Sequence, residues 1–246
     1  MSAAEDLNGY DPMSLWEALR TPNPAHTKGF KRGGGFSGTA VSGMAVAQML
    51  TEQFGPCGVG WKVIITKEDY VPGHTYYLDD GSIVGNAITH VLRGYLTYLC
   101  DGQWAETSEQ FGQTMYVSKN KYGMTTDEEA PKKSATDLMS KCASLIGCAA
   151  DIHLGLWDDN KYVNKVRETF EASTPEGELI AKYIELVEAA KDRGALEATL
   201  LEKTANNETW QAVLERLAKT HIAQVQKAKQ HYAKKLRAFA PTEAAE

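Results

Sequence analysis

The sequence holds no apolar run approaching the roughly 20 residues that a membrane-spanning helix requires. Its first residues hold no basic segment followed by an apolar one, so no membrane or secretory route is expected and the cytoplasm is the expected location. Cysteine is scarce: Cys57, Cys100, Cys142 and Cys148 make no Cys-x-x-Cys pair, and two of them lie on or beside an apolar helical face. Reduced, buried thiols are expected in place of a zinc site or a disulfide framework. Nucleotide signatures are missing as well, with no Gly-x-x-x-x-Gly-Lys-Ser/Thr loop and no Gly-x-Gly-x-x-Gly after a strand, and no cofactor is expected. An excess of positive charge is also lacking: 26 Lys and Arg against 32 Asp and Glu leave a formal net charge of −6. A polyanion would have to be met by cations gathered in one place, because the average field opposes it.

What is present suffices for a sizeable core: 246 residues with 43% hydrophobic content suit one domain plus an extension, or two small domains. The most informative stretch is 127–163. Acids and a proline open it, and Leu138, Cys142, Leu145, Ile146 and Ala149 then recur at three- and four-residue spacings as the stripe of an amphipathic helix. Lys133, Asp137, Ser140, Lys141 and Ser144 take the opposite face, and a turn rich in acids and aromatics follows.

Along the chain, Met13 to Arg20 suit a short helix started by Asp11 and Pro12. Residues 21–43 combine glycines and prolines with Lys28, Lys31 and Arg32 around Phe30 and Phe36. Such a loop lets the main chain approach a phosphate, with a helix starting near Ser37 or Thr39 aiming its free N–H groups at the anion. A plain surface loop with turn glycines is the alternative. Residues 41–54 have helical spacing. The period then becomes two, with strands expected at 60–67, 76–78, 87–99 (Arg93 and Gly94 in its middle) and 103–117, joined into an antiparallel meander. Residues 118–128 read as a polar connection. Thr174-Pro175-Glu176 starts a helix ended by Gly194, and a last helix runs over 207–239, with no acid between Arg216 and Arg237.

The order of these pieces carries a resemblance. The basic Gly-rich loop, a helix ending in FGPCGVGW, a meander closed by DGQW, and the helix SATDLMSKCASLIGCAADIHLGLWDD together resemble the single-strand annealing proteins of phages, of the Erf (essential recombination function) type. More distantly they resemble the eukaryotic Rad-fifty-two annealing family. The resemblance spans 29–165 and rests most on Phe54-Gly55 before Gly60-Trp61, and on Thr136-Asp137 about ten residues before Gly147.

The resemblance implies an α+β fold, an antiparallel β-meander packed with helices, followed by an α-helical C-terminal region. The implied divisions are an N-terminal segment 1–20, an annealing and oligomerisation core 21–170, and helices 171–246. It implies a homo-oligomeric ring or helical filament that holds single-stranded DNA in a basic groove and pairs complementary strands without nucleotide hydrolysis, so no enzyme. The setting would be phage recombination in a bacterial host cytoplasm, with a phage exonuclease or single-strand binding protein as partner. Carried over by position, Lys141 falls on a groove cation of the eukaryotic relatives, while Ser140, Ser144 and Ala45 stand where other cations would be and 56–59 lacks a tyrosine. These departures point to phosphate contacts drawn from Lys28, Lys31, Arg32, Arg93, Lys132, Lys133 and Lys141 together.

Three other readings compete. Lys133, Asp137 and Lys141 suit a solvated ladder of helical ion pairs worth about 0.2–0.5 kcal/mol each. Asp151, His153, Asp158 and Asp159 suit a metal-dependent nuclease cluster. A scaffold or adaptor acting through the C-terminal helices is the remaining class.

Overall fold

The structure is a computed structural model that describes residue 11 and residues 13–31, 34–35 and 37–239. It divides into two compact units, Met1–Asp158 and Asp159–Glu246. The division falls earlier than the boundary at 170 that the resemblance implies: α5 (Asn160–Ala172) is tied to the last helix by hydrogen bonds from Gln224 to Glu168 and Glu171.

The first unit is α+β, and its elements follow from local sequence with some departures. Helix α1 (Ser14–Leu19) is followed by a hairpin, β1 (Thr27–Lys31) and β2 (Ser37–Val41), paired in register from Thr27 with Val41 to Lys31 with Ser37. The expected helix start at Ser37 or Thr39 is therefore a strand. Helix α2 (Gly43–Phe54) begins only after Ser42, whose hydroxyl accepts from Ala45 N–H at 3.2 Å, and ends at Gly55 with φ +92°.

A five-stranded sheet follows. β3 (Trp61–Tyr77) runs unbroken through the position where a separate strand at 76–78 was expected, and it pairs with β4 (Ile83–Cys100). The expected strand 103–117 is two strands, β5 (Gln103–Glu106) and β6 (Gln110–Asn120), both paired to β4. The break carries Thr107, whose hydroxyl accepts from Leu96 N–H at 3.1 Å. The polar connection contains β7 (Gly123–Thr126), a hairpin partner of β6.

Helix α3 (Ala130–Ser144) lies across β4 and β6. On β4 the residues His90, Leu92, Gly94 and Leu96 are buried and alternate with half-buried Val91, Arg93, Tyr95 and Thr97. The buried set meets α3: Ser134 donates to the His90 carbonyl, and Leu138 and Cys142 are fully buried in a core with Leu50, Trp61, Leu92 and Leu96. Leu145 departs from the expected stripe. It follows the last turn of α3 and is 47% exposed. A left-handed Ala149 then leads into the short α4 (Ala150–His153). The buried Asp151 carboxylate accepts from Arg20 Nε at 2.7 Å and Thr21 Oγ at 2.6 Å, and the Asp151 bond, with one to Glu17, raises the Arg20 guanidinium pKa above its ordinary value.

The second unit is helical: α5, α6 (Pro175–Ala189), α7 (Arg193–Leu201), α8 (Trp210–Leu217) and α9 (Ile222–Ala238). Thr174 caps α6 as its sequence indicates, with the hydroxyl accepting from Gly177 N–H. α6 ends at Ala189, and Gly194 lies inside α7 instead of terminating α6. The expected single helix over 207–239 is broken between Leu217 and Ile222, which lets α8 and α9 both close on Ile180, Tyr183 and Val187. No helix among the described residues is long and apolar enough to cross a membrane.

Candidate functional site

Within the first unit, α3 and the β1–β2 hairpin enclose a groove of about 900 Å³. Its α3 wall is built from two adjacent i,i+4 rows, Lys132, Thr136, Ser140, Ser144 and Lys133, Asp137, Lys141. This is the face opposite Leu138 and Cys142, so core packing and groove lining come from one helical periodicity. Phe30 with strand residues 37–41, and Ile152, His153, Trp157 and Asp158, make up much of the rest of the lining. A Cβ at Gly43 would come within 2.3 Å of the Thr136 methyl, so a glycine at the start of α2 lets α3 approach.

The lysines differ in their partners. Lys132 Nζ donates to Glu129 at 2.9 Å and Lys133 Nζ to Asp127 Oδ2 at 2.5 Å, both on the exposed surface. The hydrogen bond from Lys133 holds the Asp127 carboxyl below its ordinary range. Lys141 is exposed and has no ion-pair partner among the described residues. The ladder Lys133–Asp137–Lys141 is not formed, because Asp137 instead accepts the Gln113 N–H on the free edge of β6 at 3.1 Å. Thr136, Ser140 and Ser144 donate to main-chain carbonyls of their own helix, leaving hydroxyl oxygens in the groove. Burial pushes the Cys148 thiol, also at the groove, up to about 12.

The structure thus brings together Lys132, Lys133 and Lys141 of the seven expected cations. Lys31 is exposed on β1 opposite Ser37, which lines the groove. Lys28 lines a different groove beside α2. Arg93 projects from β4 on the alternate face to the residues that meet α3. Its guanidinium stacks 5.0 Å from the Phe111 ring, and its Nε is buried without a hydrogen-bond partner. Arg32 lies outside the described residues. Ser37 to Val41 were expected near a phosphate as the start of a helix and His153 in a metal cluster, and nothing in a Ser-Gly-Thr-Ala-Val run marks it as a strand that shares a groove with a helix far along the chain.

The four residues weighed as a nuclease cluster do not converge. Asp151 is engaged by Arg20 and Thr21, Asp159 caps α5 through Lys161 N–H, and no group of three or more His, Cys, Asp or Glu among the described residues is placed to hold a metal. No protein-family model matches the chain, and no curated protein matches it.

Proposed function

We propose that this chain binds single-stranded DNA by its phosphates in the groove between α3 and the β1–β2 hairpin, and that a homo-oligomer of such grooves, ring or helical filament, anneals complementary strands without hydrolysing nucleotide. One observation carries the reading: in a chain of net charge −6, Lys132, Lys133 and Lys141 share one groove wall with three hydroxyl side chains. Lys133 and Lys141 are separated by two helical turns, about 12 Å, so successive phosphates of one extended strand can meet them. Contacts of lysine and hydroxyl to phosphate leave base edges unread, as pairing with a second strand demands. Repetition over many subunits turns a weak site into firm binding.

The test is fluorescence anisotropy of a labelled oligonucleotide over a salt series. For single strands log K falls with log salt by about 0.7 per neutralised phosphate, so Lys132→Ala, Lys133→Ala and Lys141→Ala combined should flatten the slope by about 2 for any sequence. An unchanged slope and affinity would move the site elsewhere. A second reading, an adaptor that recruits an exonuclease or a single-strand binding protein, is favoured by α9, whose Lys227, Lys229, Lys234 and Arg237 are exposed in a stretch free of acids.

A further inference from the structure

Helix α9 closes the second unit, and its two sides differ in chemistry. On the inner side Val225 and Ala228 are buried beside Ile180, Tyr183 and Val187, with Tyr232 and Leu236 half-buried against the same core. The outer side carries Gln226, Lys227, Lys229, Gln230, Lys234 and Arg237, all exposed. No acid stands in the chain from Arg216 to Phe239, so any neutralising charge must come from other helices. Four acids of α5, α6 and α7 bear on α9. Glu171 is buried and accepts the Gln224 N–H at 3.1 Å, and Glu168, exposed, adjoins the same first turn, its carbonyl accepting from Gln224 Nε2 at 3.0 Å. Glu188 faces His231, Lys234 and Lys235: its carboxylate lies 2.7 Å from His231 Nδ1, a hydrogen bond that holds it below its ordinary range, and its carbonyl accepts from Lys235 Nζ at 2.6 Å. Glu197, on the Tyr232 side, is paired with Arg193 at 2.8 Å.

Lys227, Lys229, Lys234 and Arg237, by contrast, have no ion-pair or hydrogen-bond partner among the described residues. Positive charge therefore remains on the outer face after Glu168 and Glu188 are set against it. The remaining chemistry narrows the ligand. Surfaces that hold single strands combine cations with exposed rings on which unstacked bases lie. Here the rings are withdrawn, Tyr232 to the core side and Phe239 to a place 5.8 Å from Lys235 Nζ. What is left is cations and side-chain amides on a rigid helix of 17 residues, about 25 Å long. Lys227 and Lys234 stand two turns apart, and in those roughly 10 Å a DNA duplex presents about six phosphates where one of its strands presents about three. A fixed, aromatic-free row of donors gains most from the denser and stiffer array, and it contacts phosphates without reading bases.

We propose that the outer face of α9 binds duplex DNA by its phosphates, through Lys227, Lys229, Lys234 and Arg237. This site goes beyond the single-strand groove of α3 and rests on its own residues. Its ligand is the product of the pairing proposed for that groove.

The experiment is fluorescence anisotropy of the full chain with a blunt duplex of about 30 base pairs and with a single strand of equal length, each over a salt series. Lys227→Gln, Lys229→Gln, Lys234→Gln and Arg237→Gln combined should weaken duplex binding about tenfold or more and flatten its log K against log salt by about 3 to 4, at about 0.9 per phosphate. Single-strand affinity of that variant should change less than about twofold. Lys227→Arg, Lys229→Arg and Lys234→Arg combined should keep the duplex slope, and circular dichroism verifies that both variants are folded. A wild type that does not hold the duplex at low salt overturns the proposal, as does unchanged duplex binding in the glutamine variant or an equal loss of single strands. A short polyglutamate peptide that competes as well as the duplex at equal charge also overturns it and gives α9 to an acidic protein partner. The Lys132→Ala, Lys133→Ala and Lys141→Ala variant reports separately: it should lose single strands and keep the duplex. Failure of its single-strand arm removes the α3 groove and leaves α9 standing.

Discussion

A phosphate arriving at Lys133 must displace Asp127, and one arriving at Lys132 must displace Glu129. Exposed pairs of this kind are weak, so the competition is modest but measurable. Asp127→Asn should strengthen single-strand binding about twofold to fivefold and steepen its salt dependence, read by the same anisotropy titration. The pH behaviour has a definite sign. Lys133 depresses the Asp127 carboxyl below its ordinary 3.8, so the pair is fully present above that value and is lost only as pH falls through the depressed one. Acidification from pH 7 to about 5 therefore leaves the Asp127 competition in place. Asp127→Asn and wild type should differ in affinity by the same factor at both ends of that range.

The groove wall depends on how closely α3 approaches the sheet. At Gly112 on β6 a Cβ would lie 2.1 Å from the Ser134 carbonyl oxygen and 2.5 Å from the Leu138 amide nitrogen, both main-chain atoms of a helix that cannot yield locally. Gly112→Ala should destabilise the first unit by about 3 kcal/mol, at the upper end for overpacking, and lower its thermal midpoint by roughly 6–12 °C. Gly29→Ala, where a Cβ meets nothing within 4 Å, is the control and should change the midpoint little. Circular dichroism melts of both variants make the comparison. An unaltered Gly112→Ala midpoint would mean that α3 does not sit this close to β6.

At the scale of the whole molecule, each unit closes its own core, one around Leu50, Leu96, Leu138 and Cys142, the other around Ile180, Tyr183, Leu196, Trp210 and Val213. The groove is complete within residues 30–158. A fragment ending at Asp158 should bind single strands with the affinity and salt slope of the full chain, and a fragment beginning at Asp159 should unfold cooperatively by itself. Cutting after 170 instead would split α5 and separate Glu168 from Gln224. A fragment 1–158 that folds but no longer binds DNA would shift the function toward the second unit and the adaptor reading.

Element types were legible wherever neighbouring residues alone decide them. The run of β-branched and aromatic residues over 87–99 marks β4, the spacing of Leu138 and Cys142 marks α3, and Thr174 with Pro175 marks the start of α6. The same α3 periodicity placed Lys133, Ser140, Lys141 and Ser144 away from the core before any tertiary contact was considered. The glycine-rich segment from Thr27 to Val41 has no such pattern, and only cross-strand pairing makes it a hairpin. Which cations share a groove was likewise decided by tertiary structure. Lys28 and Lys132 are both basic residues on exposed surfaces, yet α2 separates their grooves, and Arg93 faces away from α3 because Leu92 and Gly94 face it. A charge pattern along the chain records which side of its own element a residue occupies. Only the packing of α3 and α2 on the sheet, through contacts far apart in sequence, sets which of those sides meet.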